Sequence, residues 1–153
     1  MAKQQKETLE ETKTLTTLSS KAIAQLEEQA AHGKPLCLIL ARAKSHRLPH
    51  KNRLILNGKP LILYAIETAQ KSELFDSVVV SSDDMKILEI AYENKCVCHR
   101  RESGLARSDV QIKYVVRYLM SVYDLGEQSC IMTPCNPLVT PQDLIESHQM
   151  FTD

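Results

Sequence analysis

Tryptophan is absent from the 153 residues, and phenylalanine occurs only twice. The core must therefore rest on Leu, Ile, Val, Ala and Cys. No apolar stretch approaches the roughly 20 residues that a membrane-spanning helix needs. The N-terminus is polar and helix-forming, unlike a secretory leader. A soluble, cytoplasmic protein is expected. The five cysteines include no Cys-x-x-Cys pair. Buried thiols in a reducing compartment are the expected state. Cys37 and Cys130 fall in predicted strands, and Cys96 and Cys98, two apart in another, would share one face. A metal site from Cys96, Cys98 and His99 would lack a second ligand cluster. Excess charge is missing too: 19 Lys and Arg balance 19 Asp and Glu, which gives no general affinity for polyanions. There is no internal repeat, no low-complexity segment and no Walker pattern.

Locally, the missing charge is acidic. No Asp or Glu occurs from Gln29 to Ile66. Within that run a short apolar stretch, Leu36 to Ala41, has the length of a buried strand. It opens into a loop carrying Arg42, Lys44, Arg47, Lys51 and Arg53, with His46 and His50 between them and no glycine. A buried strand feeding a cationic loop suits a phosphate site at the carboxyl end of an open α/β sheet, where Lys and Arg neutralise anionic oxygens. A solvated basic loop, or a nuclear-localisation-like run, fits the charge equally well. The loop offers almost no aromatic ring for single-strand stacking, so no nucleic-acid partner is expected.

The remaining pattern alternates strand and helix. Leu15, Leu18, Ala22, Leu26 and Ala30 mark one face of an N-terminal amphipathic helix, stopped by Gly33 and Pro35. After the basic loop, Asn57-Gly58 signals a turn. Pro60 suits the first turn of a helix reaching Lys71, with Leu61, Tyr64, Ala65 and Ala69 on its core side. Val78 to Val80 is a β-branched strand, and Ser82 or Asp83 is a candidate cap for the helix after it. A strand near Cys96 to His99 precedes a polar loop and a helix from Asp109 to about Tyr123, burying Ile112, Val115, Val116 and Leu119. Ser129 to Thr133 is the next strand. Thr140, Pro141 and Asp143 begin a last helix. Such an order predicts an α/β, Rossmann-like, mainly parallel sheet with helices on both faces.

Ala41-Arg-Ala-Lys-Ser-His-Arg-Leu-Pro-His-Lys-Asn52 resembles the signature Ala-Arg-x-x-Ser-Lys-x-Leu-Pro-x-Lys-Asn of the CMP-N-acylneuraminate cytidylyltransferases. Gly58 to Ile62, Phe75 to Asp84 and Pro134 to Leu138 resemble further motifs of that family, in the same order. The likeness implies the N-terminal portion of a nucleotide-diphospho-sugar transferase-type fold over residues 35–153, lacking its C-terminal half, with residues 1–34 as a helical extension. It implies transfer of CMP from CTP to an acidic nine-carbon sugar with release of pyrophosphate. Mg²⁺ and a homodimer come with it, although the family's metal-binding carboxylates have no counterpart in this chain. Lys51-Asn52 and Pro134 to Leu138 favour the neuraminate branch over the 3-deoxy-manno-octulosonate branch.

By the same likeness Arg42 and Lys51 hold the triphosphate as the catalytic cations, and Ser45 donates to a phosphate oxygen. Asn52 contacts ribose or base, and Arg101 contacts nucleotide. Solvated cations and loop-stabilising hydrogen bonds are the competing readings. The departures are specific. His46 replaces a Lys, Thr133 a Gln and Val139 an Arg, and Asp109 to Lys113 lacks the family's Ser/Thr-rich helix start. These changes leave a truncated, non-catalytic nucleotide-binding or interaction protein as the alternative.

Overall fold

The computed structural model describes residues 34–153 except His46, Ser103, Ser108 and residues 123–127. The expected N-terminal helix and the end of the helix at Tyr123 lie outside the described residues.

Four strands form one parallel sheet: β1 (Leu36–Leu40), β4 (Ser77–Ser82), β5 (Val97–Arg100) and β6 (Ser129–Met132), in the order β5-β4-β1-β6. A small antiparallel hairpin of β2 (Ile55–Leu56) and β3 (Lys59–Pro60) sits apart. Asn57 (φ 47°) and Gly58 (φ 83°) make its turn, where glycine carries no steric penalty. The helices are α1 (Leu61–Lys71), α2 (Met85–Glu93), α3 (Ile112–Val122) and α4 (Pro141–Thr152).

Because neighbouring residues of a strand point to opposite faces, the sheet buries two distinct surfaces. Cys37, Ile39, Val78, Val80, Cys96 and Cys98 face α1 and α2, with Leu144 of α4 partly packed against them. Leu36, Leu38, Leu40, Val79 and Val97 face α3 through Val115 and Leu119. β1 is flanked on both sides and all five of its residues are buried. That is why it reads as an unbroken apolar run. Helices on both faces of a parallel sheet are the Rossmann-like arrangement.

The five cysteines are free, with Cys37, Cys96 and Cys98 buried and Cys135 exposed. Cys37 stands beside Cys130 in the β1–β6 register, and its thiol hydrogen-bonds to the Cys130 sulfur. That bond and burial hold Cys37 protonated, while the bond draws Cys130 down to about 7 against the opposing effect of its own burial.

Four details differ from the sequence-based expectation. In α1 the buried residues are Ile62, Ala65, Ile66 and Ala69, not Leu61 and Tyr64. Tyr64 turns outward, donating its hydroxyl to Leu56 O at 2.6 Å, and Pro60 stands one residue before the helix as its N-cap. α3 begins at Ile112 rather than Asp109, and Ile112 is 53 % exposed. β6 ends at Met132, leaving Thr133 in the following loop. β4 runs on through Ser82, because the ladder to β5 continues to Ser82↔Arg100. The cap of α2 is then Asp84, whose carboxylate accepts from Lys86 N, rather than Ser82 or Asp83.

Candidate functional site

The strand order reverses at β1. β4 lies on one side of it, reached through α1, and β6 on the other, reached from β5 through α3. Ligands of open α/β sheets bind at such a switch point, beyond the carboxyl ends of the strands. A cleft of about 250 Å³ lies there. Loops after β1, β5 and β6 build it. Arg42, Ser45, Lys51, Asn52 and Arg101, the five residues singled out from the sequence, all line it. Arg107, Thr133, Pro134 and Cys135 join them, and Leu40, Leu105, Val110, Ile112 and Val115 form an apolar wall. No carboxylate among the described residues lines the cleft. A wider groove of about 860 Å³ shares Ser45 and Arg107 with it and adds Lys44, His50 and Asp109.

The basic loop is shaped by bonds at its ends. Asn52 is 6 % exposed and its Nδ2 donates to Arg42 O at 3.0 Å, closing the loop's base. Asn52 Oδ1 is buried without a hydrogen-bond partner. Lys51 to Arg53 form one 3₁₀ turn, entered through His50 at φ 52°. Asp83 and Asp84 each bond to the loop, Asp83 Oδ1 to Ala43 N at 2.7 Å and Asp84 Oδ2 to Arg53 Nε at 2.7 Å.

Arg101 is the most unusual residue of the site. Its guanidinium is 7 % exposed. Nε donates to Ser81 Oγ at 3.2 Å and Nη2 to Ser81 O at 2.9 Å. Among the described residues no carboxylate lies within ion-pair distance of it. Burial lowers its pKa most and the charge of Arg42 lowers it further, while Asp83 opposes both. A guanidinium nonetheless stays charged. A buried cation held only by neutral oxygens is costly, and an anion in the cleft would offset that cost.

Ser81 and His99 complete this layer. Ser81 Oγ lies 3.0 Å from His99 Nδ1. A serine oxygen can accept twice as well as donate, so this contact fits either tautomer of the neutral imidazole. Burial, and secondarily Arg101, pushes the His99 pKa down to about 4. The ring is therefore neutral at pH 7 and packs 5.8 Å from that of Tyr118 on α3.

Arg107 and Ser81 were not singled out from sequence, and His99 was raised there only as a metal ligand beside Cys96 and Cys98. Arg107 gives only a weak signal, one more cation in a polar loop, and it is paired with Asp109 at 2.7 Å on the surface. Ser81 and His99 lie on strands whose polar residues acquire meaning only through the β4–β5 register. Among the described residues no group of three His, Cys, Asp or Glu could hold a metal ion. Asp83 and Asp84 each give one carboxylate oxygen to the basic loop. His99 points to the opposite face of β5 from Cys96 and Cys98, so the three do not converge. No helix among the described residues is long and apolar enough to cross a membrane.

A family profile described as cytidylyltransferase matches residues 36–150. Pseudaminic acid cytidylyltransferase of Campylobacter jejuni is 35 % identical over 123 residues, covering 77 % of this chain and 53 % of that protein. N-acylneuraminate cytidylyltransferase of Streptococcus agalactiae is 32 % identical over 121 residues, 78 % of this chain and 29 % of that one. The chain thus spans about half the length of the first relative and under a third of the second. The structure of a CMP:2-keto-3-deoxy-manno-octonic acid synthetase complexed with CTP superposes with a TM-score of 0.60 at 24 % identity, over 79 % of this chain and 48 % of that one. At that identity the likeness speaks for the fold alone.

Proposed function

We infer the activity from one premise: this chain belongs to the cytidylyltransferase family. CTP binds in the cleft at the switch point, and CMP passes to a hydroxyl of an acidic nine-carbon sugar. The sugar oxygen attacks the α-phosphorus and pyrophosphate leaves. The observation that carries this reading is Arg101, a buried guanidinium in a cation-lined cleft to which the described residues bring no carboxylate. Arg42 and Lys51 hold the phosphates and neutralise charge as it develops on the leaving oxygens. Ser45 donates to a phosphate oxygen. The unpartnered Asn52 Oδ1 accepts from a ribose hydroxyl or the cytosine amino group. Mg²⁺, implied by the family likeness, would help neutralise the triphosphate; among the described residues no group of three His, Cys, Asp or Glu could hold it. By family likeness the reading extends to a homodimer acting in the cytoplasm.

A second reading, nucleotide binding without sugar transfer, is favoured by one feature. Thr133 and Val139 stand where the family signature carries Gln and Arg, and the carbonyl of Val139 serves a structural bond from Thr68 Oγ1 at 3.1 Å.

Calorimetric titration of the full chain with CTP, ATP and Mg²⁺ tests the binding step. CTP-selective binding is expected, weakened about tenfold or more in Lys51→Ala, the loss of a charge-assisted phosphate contact. Equal binding of ATP, or an unchanged Lys51→Ala, would remove the reading. Pyrophosphate release with acidic sugars then separates the transferase from the binder.

A further inference from the structure

Two carboxylates beside the site have no role in that reading. Asp83 and Asp84 follow β4, yet neither lines the cleft or the adjoining groove. Each reaches back across the chain to the basic loop. Asp83 Oδ1 accepts from Ala43 N at 2.7 Å, where the loop leaves β1. Asp84 Oδ2 accepts from Arg53 Nε at 2.7 Å, where the loop returns, and His50 Nδ1 lies 3.8 Å from the same oxygen.

Asp84 is itself firmly held. It is 8 % exposed. Its N–H donates to Ser82 Oγ at 3.0 Å, and its second oxygen accepts from Lys86 N at 3.0 Å, capping α2. The buried end of β4 is thereby joined to both ends of the loop. Between these anchors Lys44, Arg47, Leu48, Pro49 and His50 are exposed. Lys51 N donates to Leu48 O within the span at 3.2 Å, but the carboxylate anchors that tie the loop to β4 lie at its two ends.

We propose that Asp83 and Asp84 are positioning residues for nucleotide binding, clamping the two ends of the basic loop so that Ser45 and Lys51 face the cleft while neither carboxylate touches the ligand. The proposal rests on the nucleotide reading above. Its reason is preorganisation: a loop already ordered when the ligand arrives loses less entropy on binding.

The clamp makes a prediction opposite in sign to simple electrostatics. Removing a negative charge beside an anion site should tighten binding if field alone matters. Loss of the clamp should weaken it. Asp84→Asn is the informative variant, because Asn caps a helix as well as Asp does while losing the ion pair. Arg53→Gln breaks the same pair from the loop side and leaves the α2 cap untouched. Asp83→Asn weakens the other anchor.

Two measurements on the full chain decide the matter: the rate of tryptic cleavage after Arg47, and the CTP dissociation constant by calorimetry. Each variant is expected to be cut about tenfold faster and to bind CTP about tenfold more weakly, the scale of one lost charged hydrogen bond, with little change in thermal midpoint. Cleavage at the wild-type rate, or tighter CTP binding, would overturn the clamp. If the wild-type chain binds no CTP, the nucleotide reading fails by itself. Cleavage rates then still decide whether the acid pair orders the loop, and unchanged rates reject it.

Discussion

Burial converts ordinary side chains at the carboxyl end of β4 and β5 into a sensitive layer. Arg101 stays charged and His99 stays neutral, and Ser81 bonds to both. The His99 pKa of about 4, against about 6.5 in an unfolded chain, sets a pH dependence. Between these values the unfolded state binds a proton that the folded state refuses, so stability falls as pH falls. The contribution is complete above pH 6.5 and is lost progressively toward pH 4. From pH 7 to pH 5 the loss attributable to this residue is about 2 kcal/mol. Urea midpoints at the two pH values measure it. His99→Asn, which keeps a hydrogen-bonding partner for Ser81, should flatten the profile, and an equally steep variant would assign the dependence elsewhere. None of this is visible in the sequence, where His99 is one of five histidines. Its environment is made by register and by Tyr118 across the sheet face.

The elements differ in how they are held. β1 and β4 are buried along their whole length. α4 buries no residue fully and relies on its start, a capping box in which Thr140 Oγ1 accepts from Asp143 N and the Asp143 carboxylate accepts from Thr140 N. Thr140→Ala should cost about 1 kcal/mol locally. Hydrogen exchange should show it as faster opening of α4, with β1 and β4 amides still limited by global unfolding. Equal acceleration in β1 would mean that α4 unfolds with the core. This box was legible in the sequence because all its partners lie within four residues. The same locality explains why the strands and the Asn57-Gly58 turn could be read. The α2 cap could not be, because Ser82, Asp83 and Asp84 are comparable candidates locally. Pairing of Ser82 with Arg100, and the bonds of Asp83 to Ala43 and of Asp84 to Arg53, select among them. The orientation of α1 was misread for a related reason. Tyr64 fits an apolar stripe, but Leu56 O on the hairpin draws its hydroxyl outward. At the site, the family signature brought five residues to the cleft, while Arg107 came from a loop whose placement is tertiary.

At the scale of the whole molecule, charge is balanced in sum and segregated in space. The formal net charge is zero, so no long-range field draws an anion to the protein. On the proposed reading, affinity for a triphosphate comes from Arg42, Lys51, Arg101 and Arg107 at short range. These four cations line a cleft that no carboxylate among the described residues lines. Salt then acts unequally on them. Arg107 is 68 % exposed and paired, so mobile ions screen it readily. Arg101, at 7 % exposure, is screened far less. CTP affinity should therefore fall with ionic strength but not vanish, by about tenfold between 0.05 and 0.5 M salt, as the Debye length shortens from about 14 to about 4 Å. Calorimetry across that range checks this, with uncharged cytidine as the comparison. Cytidine binding should be nearly insensitive to salt, since it reports the apolar wall and Asn52 alone. Lys51→Ala should bind CTP more weakly and with a shallower salt dependence, because one screened contact is gone. An unchanged slope in that variant would place Lys51 outside contact with the phosphates and leave the buried guanidinium as the principal anchor of the site.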